Sequence, residues 1–216
     1  MRKYLAEFLG TFIMVFCGTG AMIVDQQTGG AVTHVGVAVT WGLVVMSLIY
    51  ALGEVSGAHM NPAVNIAFTL AGRFEPGKLP AYIISQLAGA LLASMVLKLL
   101  FPANASLGAT IPAGDDIQSL VLELLLTFFL MLVILNVAHG SKEQGLFAGI
   151  AIGSVVGLEA TFAGPICGAS MNPARSIAPA VVSGHLQSLW VYLIAPIGGA
   201  CLAVPVWKYL KPANSV

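Results

Sequence analysis

The sequence predicts an all-α membrane protein with six transmembrane helices and two re-entrant half-helices arranged as an inverted repeat. Of its 216 residues, 58% are hydrophobic and only 8% are charged, and the mean hydropathy is +0.92. A water-soluble domain of this size and composition could not cover its surface with polar side chains. Two further observations support the prediction: the chain has six long apolar tracts, and a short motif occurs twice.

Each of the six apolar tracts is long enough to cross a bilayer, which takes roughly 20 helical residues. Basic residues precede the first tract, as they precede the apolar region of a signal peptide. Because Glu7 interrupts the tract, we expect it to be a transmembrane span that is not cleaved off. Glycine and alanine recur within the tracts, and in lipid such small residues let helices approach closely. The tracts are approximately Tyr4–Val24, Val32–Leu52, Leu79–Phe101, Ile117–Ala138, Gly145–Ala163 and Leu186–Trp207.

The basic residues predict the orientation of these spans. An even number of spans puts both termini on one side, and the positive-inside rule makes the more basic side cytoplasmic. Acidic residues Asp25, Asp115 and Asp116 fall in the opposite connections, with Lys98 near a span end. We expect a multi-pass protein of the cell (inner) membrane with cytoplasmic termini, and the absence of targeting segments suggests a prokaryotic one. The basic residues on the predicted cytoplasmic side are Arg2, Lys3, Arg73, Lys78, Lys142, Lys208 and Lys211.

An internal repeat divides the chain. The run Gly-Ala-x-Met-Asn-Pro-Ala begins at Gly57 and again at Gly168. The first spans of the two halves also match, with Glu7 corresponding to Glu123 and the same Thr and Phe following each. Three spans per half give the second copy the opposite orientation, an arrangement found in many transport proteins. We therefore expect one transmembrane domain, 1–216, made of repeats at approximately 1–110 and 111–216.

The repeated runs lie in segments too short and too polar at their start to be ordinary spans, Gly57–Gly72 and Gly168–Ser183. Asn is a strong helix N-cap, and Pro is favoured at the first helical position. Each segment should therefore begin a helix of about ten residues, which reaches about half-way across the hydrocarbon core. Inserted from opposite faces, the two half-helices would meet at the midplane.

That meeting point would have a particular chemistry. The two helix N-termini place partial positive charge there, and the amides of Asn61 and Asn172 offer hydrogen-bond donors. Irregular backbone at this depth requires burial in protein or an aqueous cavity. The site would hydrogen-bond an oxygen-bearing solute and repel a cation or a proton.

With these features the whole chain resembles the aquaporin, or major intrinsic protein, family. The resemblance implies a right-handed helix bundle, a homotetramer with one pore per protomer, and Arg175 as the filter arginine. An arginine beside an apolar segment is costly in lipid, which independently favours a pore-facing position. The family's Asn-Pro-Ala motifs correspond to Asn61, Pro62, Ala63, Asn172, Pro173 and Ala174.

The resemblance also implies a selectivity filter made of Trp41, Ala160, Ala169 and Arg175. Water-selective members of the family have a histidine where this chain has Ala160. An indole wall with two alanines and a guanidinium would be wider and amphipathic. This set is closest to glycerol-conducting members and nodulin-like intrinsic proteins, which implies water, glycerol and neutral hydroxylated metalloids as solutes. A water-selective channel is the alternative.

Two carboxylates fall inside predicted spans, where an ionisable group is costly and indicates a role. By resemblance, Glu7 and Glu123 brace the two motif loops through hydrogen bonds to backbone N–H groups. A role in catalysis or proton transport is the weaker interpretation.

Other classes of function have little support. The formal net charge is zero, so nothing attracts nucleic acid, and three dispersed cysteines do not form a metal or disulfide framework. We expect no enzyme activity, cofactor or metal site; the expected partners are water, small uncharged solutes, membrane lipid and further copies of the chain. An ion-coupled secondary transporter is a rival, because inverted repeats and broken helices occur there too.

Overall fold

A computed structural model describes residues 1–138 and 145–210, and all of the helices named below lie in that part of the chain. Lys142 and Lys211, which contribute to the predicted orientation, lie outside it. Within these residues there is no β-strand, and six helices are long and apolar enough to cross a membrane. The predicted all-α membrane fold is confirmed. The helices are α1 (Arg2–Thr28), α2 (Thr33–Ser56), α3 (Pro62–Leu70), α4 (Leu79–Leu100), α5 (Asp116–Val137), α6 (Ala148–Cys167), α7 (Pro173–Ser183) and α8 (Leu189–Leu210).

Several helices extend beyond the apolar tracts that predict them. The second tract ends at about Leu52, whereas α2 continues to Ser56. The helix ends where the backbone of Gly57 turns to a φ of 89°, a left-handed conformation that favours glycine. The fifth tract shows the same effect, because α6 continues past Ala163 to Cys167 and ends at Gly168, with φ 87°.

Glycines allow the closest helix crossings. A Cβ atom on Gly89 of α4 would overlap the backbone carbonyl of Phe8 in α1, and one on Gly199 of α8 would overlap that of Leu124 in α5. In α2, a Cβ on Gly42 would lie 2.7 Å from the carbonyl oxygen of Gly153 in α6. These three pairs of long helices are therefore packed backbone against backbone, as small residues permit in membranes.

The two short helices follow matching positions in the chain. Helix α3 comes after α2 and helix α7 after α6, so each is reached from the second long helix of its half. Six alternating spans place the ends of α2 and α6 on opposite sides of the bundle. Both short helices are mostly buried among the long ones.

Candidate functional site

The site is built on two helix N-termini that face each other. The Oδ1 atom of Asn61 accepts a hydrogen bond from the N–H of Ala63 at 2.9 Å and caps α3. The Oδ1 atom of Asn172 accepts from the N–H groups of Ala174 at 3.0 Å and Arg175 at 3.4 Å and caps α7. Proline stands at the first position of both helices, where its missing N–H leaves no unpaired donor.

The same two asparagines join the halves to each other. The Nδ2 atom of Asn61 donates to the carbonyl oxygen of Met171 at 2.7 Å, and that of Asn172 donates to the carbonyl oxygen of Met60 at 2.8 Å. A side-chain amide carries two N–H donors. Each asparagine therefore keeps one donor beyond those bonds, and both side chains line the central cavity.

The backbone before each asparagine is strained in the same way. Ala58 and Met60 have φ values of 48° and 49°, and Ala169 and Met171 have 42° and 53°. Non-glycine residues in this region cost on the order of 1–3 kcal/mol each, and they persist only when their surroundings hold them.

One carboxylate holds the first strained loop. Oε1 of Glu7 accepts from the N–H of His59 at 3.0 Å and the hydroxyl of Ser56 at 2.8 Å. Oε2 accepts from the N–H of Met60 at 2.8 Å and from Nε2 of Gln86 at 2.7 Å. Glu7 is fully buried, and these four donors stabilise its charge there.

Glu123 holds the second strained loop in the same way. It accepts from the N–H of Ser170 at 2.7 Å and from that of Met171 at 2.8 Å. Both glutamates therefore contact the loop that precedes an asparagine cap. Two tyrosines complete the correspondence, since the hydroxyl of Tyr82 donates to the carbonyl of Ser56 and that of Tyr192 to the carbonyl of Cys167.

Arg175 projects from the first turn of α7 and is only 2% exposed. Its guanidinium donates to the carbonyl oxygen of Gly108 at 2.8 Å and lies 3.2 Å from the sulfur of Met22. It also lies over the indole ring of Trp41, 4.9 Å from the ring centroid, a distance suited to a cation–π contact. Groups from three parts of the chain thus fix a single positive charge.

A cavity of about 590 Å³ is lined by both asparagines and by the Arg175–Trp41 pair. Trp41, Ala160, Ala169 and Arg175 line it together with Asn61 and Asn172, so six of the predicted site residues share one space. Most of the remaining lining is apolar, including Val45, Val64, Ile152 and Val156. The other motif residues are buried beside the cavity and do not line it: Pro62, Ala63, Pro173 and Ala174.

Sequence reasoning missed several supporting residues. Gln86 supplies the fourth donor to Glu7. A Cβ atom on Gly18 would overlap the Trp41 ring, so this glycine makes room for the indole. Glu159 is buried next to Ala160. A lone polar residue in an apolar span was the available signal for Gln86 and Glu159, whereas nothing in the sequence marks Gly18.

Among the described residues, no group of three or more His, Cys, Asp or Glu side chains could hold a metal ion. Besides the two asparagine amides and the Arg175 guanidinium, the polar groups in the cavity lining include Glu54, His59 and Arg73.

Comparisons with known proteins agree with this geometry. Residues 1–207 match the family model described as Major intrinsic protein. Aquaporin NIP1-4 from Oryza sativa subsp. japonica is 50% identical over 210 residues, covering 97% of this chain and 76% of the relative. Aquaporin NIP1-1 from Zea mays is 46% identical over 215 residues, covering 99% and 76%, and Nodulin-26 from Glycine max is 43% identical over 212 residues, covering 98% and 78%.

A solved structure gives the same result. The aquaglyceroporin from Plasmodium falciparum superposes with a TM-score of 0.85 at 28% sequence identity, covering 97% of this chain and 96% of that one. The resemblance to nodulin-like intrinsic proteins, inferred from the filter positions, is confirmed by these relatives. The chain belongs to the major intrinsic protein family and is a membrane channel for water and small solutes.

Proposed function

We propose that this channel passively conducts water, glycerol and small neutral hydroxylated solutes, including hydroxylated metalloids such as boric or arsenous acid, and excludes ions and protons. One observation carries the proposal: a single cavity brings the Asn61 and Asn172 amides and the Arg175 guanidinium together with an otherwise mostly apolar lining.

Such a lining suits a molecule with two kinds of surface. The donors on Asn61, Asn172 and Arg175 replace water around hydroxyl oxygens, while the Trp41 ring and the aliphatic residues contact C–H groups. Glycerol has both surfaces. A hydroxylated metalloid presents hydroxyl groups to the same donors without a charge.

Ala160 and Ala169 support a filter wide enough for such solutes. Each places only a methyl group at the cavity that the bulky pair of Trp41 and Arg175 also lines. The structural relative from Plasmodium falciparum is titled an aquaglyceroporin, and its fold agrees with this chain over nearly the whole length.

Electrostatics favour exclusion of cations. The N-termini of α3 and α7 contribute partial positive charge at the asparagines, and Arg175 adds a full charge. An intramembrane carboxylate at the solute site would be expected of an ion-coupled carrier, whereas the carboxylates of Glu7 and Glu123 bind loop N–H groups instead. Glu54 also lines the cavity, but it is exposed near the end of α2. We also infer that the protein catalyses no reaction.

The proposed setting is a homotetramer in the cell (inner) membrane with both termini cytoplasmic. All four filter residues come from one chain, so each protomer would carry its own pore. Exposed large apolar side chains on all six long helices provide surfaces for lipid and neighbouring protomers.

Flux measurements on purified protein in liposomes test the proposal. A channel should give solute flux that rises in proportion to the gradient and does not change when an ion or proton gradient is imposed. Flux that saturates and follows an ion gradient would instead establish a secondary transporter. Water flux without any flux of glycerol or boric acid would establish the water-selective alternative.

A further inference from the structure

Glu159 makes none of the contacts that build the site. It lies in α6 directly before Ala160 and is 1% exposed. Neither of its carboxyl oxygens has a hydrogen-bond partner among the described residues. Glu7 and Glu123, in contrast, each accept several hydrogen bonds.

An ionised carboxylate without donors is strongly unfavourable in a buried membrane helix, because nothing replaces its hydration. The neutral acid loses far less on burial. The burial and the missing donors of Glu159 therefore favour a protonated side chain.

Glu159 faces α5 rather than α2. Helix α2 packs on the side of α6 marked by Gly153 and Gly157, and helical geometry places Glu159 about 120° to 160° around the helix from these glycines. Glu123 on α5 is the group whose charge acts on Glu159. Three further titratable groups surround Glu123, namely Cys167 on α6, Arg175 on α7 and Tyr192 on α8.

A comparison of the two halves explains why an acid suits this position. Tyr82 on α4 and Tyr192 on α8 make matching hydrogen bonds. Four residues after Tyr82 stands Gln86, the neutral donor to Glu7. Four residues after Tyr192 stands Pro196, which has no side-chain donor. Glu123 thus has no amide donor in the place of Gln86. The Cys167 thiol lies beside it, and so does Glu159, whose oxygens have no hydrogen-bond partner.

We propose that Glu159 is a neutral carboxylic acid that forms with Glu123 a buried pair carrying one proton and one negative charge. This inference rests on the proposed function in one respect: the single negative charge balances the single positive charge of Arg175, on which the charge of Glu123 acts. Ionised Glu159 would add a second negative charge and weaken the barrier to cations. Glu159 is a positioning residue for the field of the filter and does not line the cavity.

Infrared spectroscopy of the whole chain in ether lipid, which has no ester carbonyl band of its own, tests the protonation state directly. Wild type should show the C=O stretching band of a protonated carboxylic acid, and Glu159→Gln should lose it. The control is Glu75→Gln, because Glu75 is exposed and forms an ion pair with Lys78 that holds the pKa of Glu75 below its usual value. Absence of the band in wild type, or its persistence in Glu159→Gln, overturns the proposal.

Two further measurements keep the test independent of any one variant. In wild type labelled with ¹³C-carboxyl glutamate, the band must shift to lower frequency; an unshifted band would not come from a glutamate and would contradict the proposal. Permeability of cations, measured from about pH 6 to about pH 10, should rise at the alkaline end in wild type and stay flat in Glu159→Gln. An equal rise in both proteins overturns the link to Arg175. Because the spectrum requires no transport, failure of the proposed solute flux would leave the spectral result standing.

Discussion

At the scale of single residues, the proposed filter depends on how Arg175 and Trp41 are held. The guanidinium has a backbone carbonyl, a thioether and an indole ring as neighbours, so its position is set by the fold rather than by solvent. Ala160 and Ala169 line the same cavity with methyl groups, and in the proposed filter the identity of these two residues sets the free space.

We expect Ala160→His to reduce glycerol permeability at least about tenfold and water permeability by less than about threefold. An imidazole projecting toward Trp41 would occupy space that a carbon chain needs, whereas water requires only a single-file path. Stopped-flow light scattering with liposomes at matched protein density measures both. Equal losses for the two solutes would show that Ala160 does not discriminate between them.

Gly18 packs against the indole ring of Trp41, a residue of the proposed filter. A Cβ atom there would overlap the indole of Trp41, so Gly18→Ala should displace the ring, lower solute permeability and destabilise the protein by about 1–3 kcal/mol. Gly20→Ala is the matched control on the same helix, because its new Cβ would lie 3.5 Å from Leu97, an ordinary contact. Thermal unfolding and solute flux of the two variants provide the comparison; identical behaviour would show that Gly18 does not position the indole.

The polar residues within the apolar tracts show which contacts a single sequence can predict at this scale. Glu7 and Glu123 stand out as ionisable residues within apolar tracts, and their predicted contact with the loop backbone is present. Gln86 and Glu159 carry the same signal, but the carboxylates near them, Glu7 and Glu123, lie on other helices. Only the packing of the bundle brings those carboxylates near.

At the scale of helices, the two short elements are the best specified by local chemistry. An asparagine followed by proline sets the start of α3 and of α7, and the side-chain oxygens make the capping bonds. The ends of the long helices were harder to predict, because the apolar tract ends several residues before the helix does. Helix α2 continues through polar residues until Gly57, where a left-handed backbone stops it.

Close crossings of long helices should be sensitive to single methyl groups. Gly199→Ala would push α8 against the backbone of α5 at Leu124, and we expect a loss of about 1–3 kcal/mol in unfolding free energy. The adjacent Gly198→Ala is the control, since its Cβ would meet Leu124 Cδ1 at 3.9 Å. Unfolding in mild detergent should separate the two variants, and equal midpoints would contradict the backbone contact.

At the scale of the whole molecule, composition and hydropathy were sufficient for the membrane fold, because six apolar tracts leave few other structures for the backbone. The spatial convergence of the filter could not be predicted from physical rules alone. Trp41, Ala160 and Arg175 lie far apart in the chain, and their grouping in the prediction came from resemblance to a family. The contacts of Gly108 and Met22 with Arg175 have no sequence signal.

The assembly is a further prediction at this scale. Native mass measurement in mild detergent should give a species of four chains of 22.4 kDa each, because apolar surface remains exposed on every long helix. Monomers alone, under conditions that preserve the fold, would count against a tetramer.

The central claim is that one cavity with amide and guanidinium donors in a mostly apolar lining conducts glycerol as well as water. The most direct measurement is stopped-flow glycerol permeability of liposomes containing the purified wild-type protein, compared with protein-free liposomes and with water flux in the same preparation. We predict that both permeabilities rise with protein density and that neither depends on an ion gradient. A rise in water permeability with no rise in glycerol permeability would contradict the claim and establish a water-selective channel.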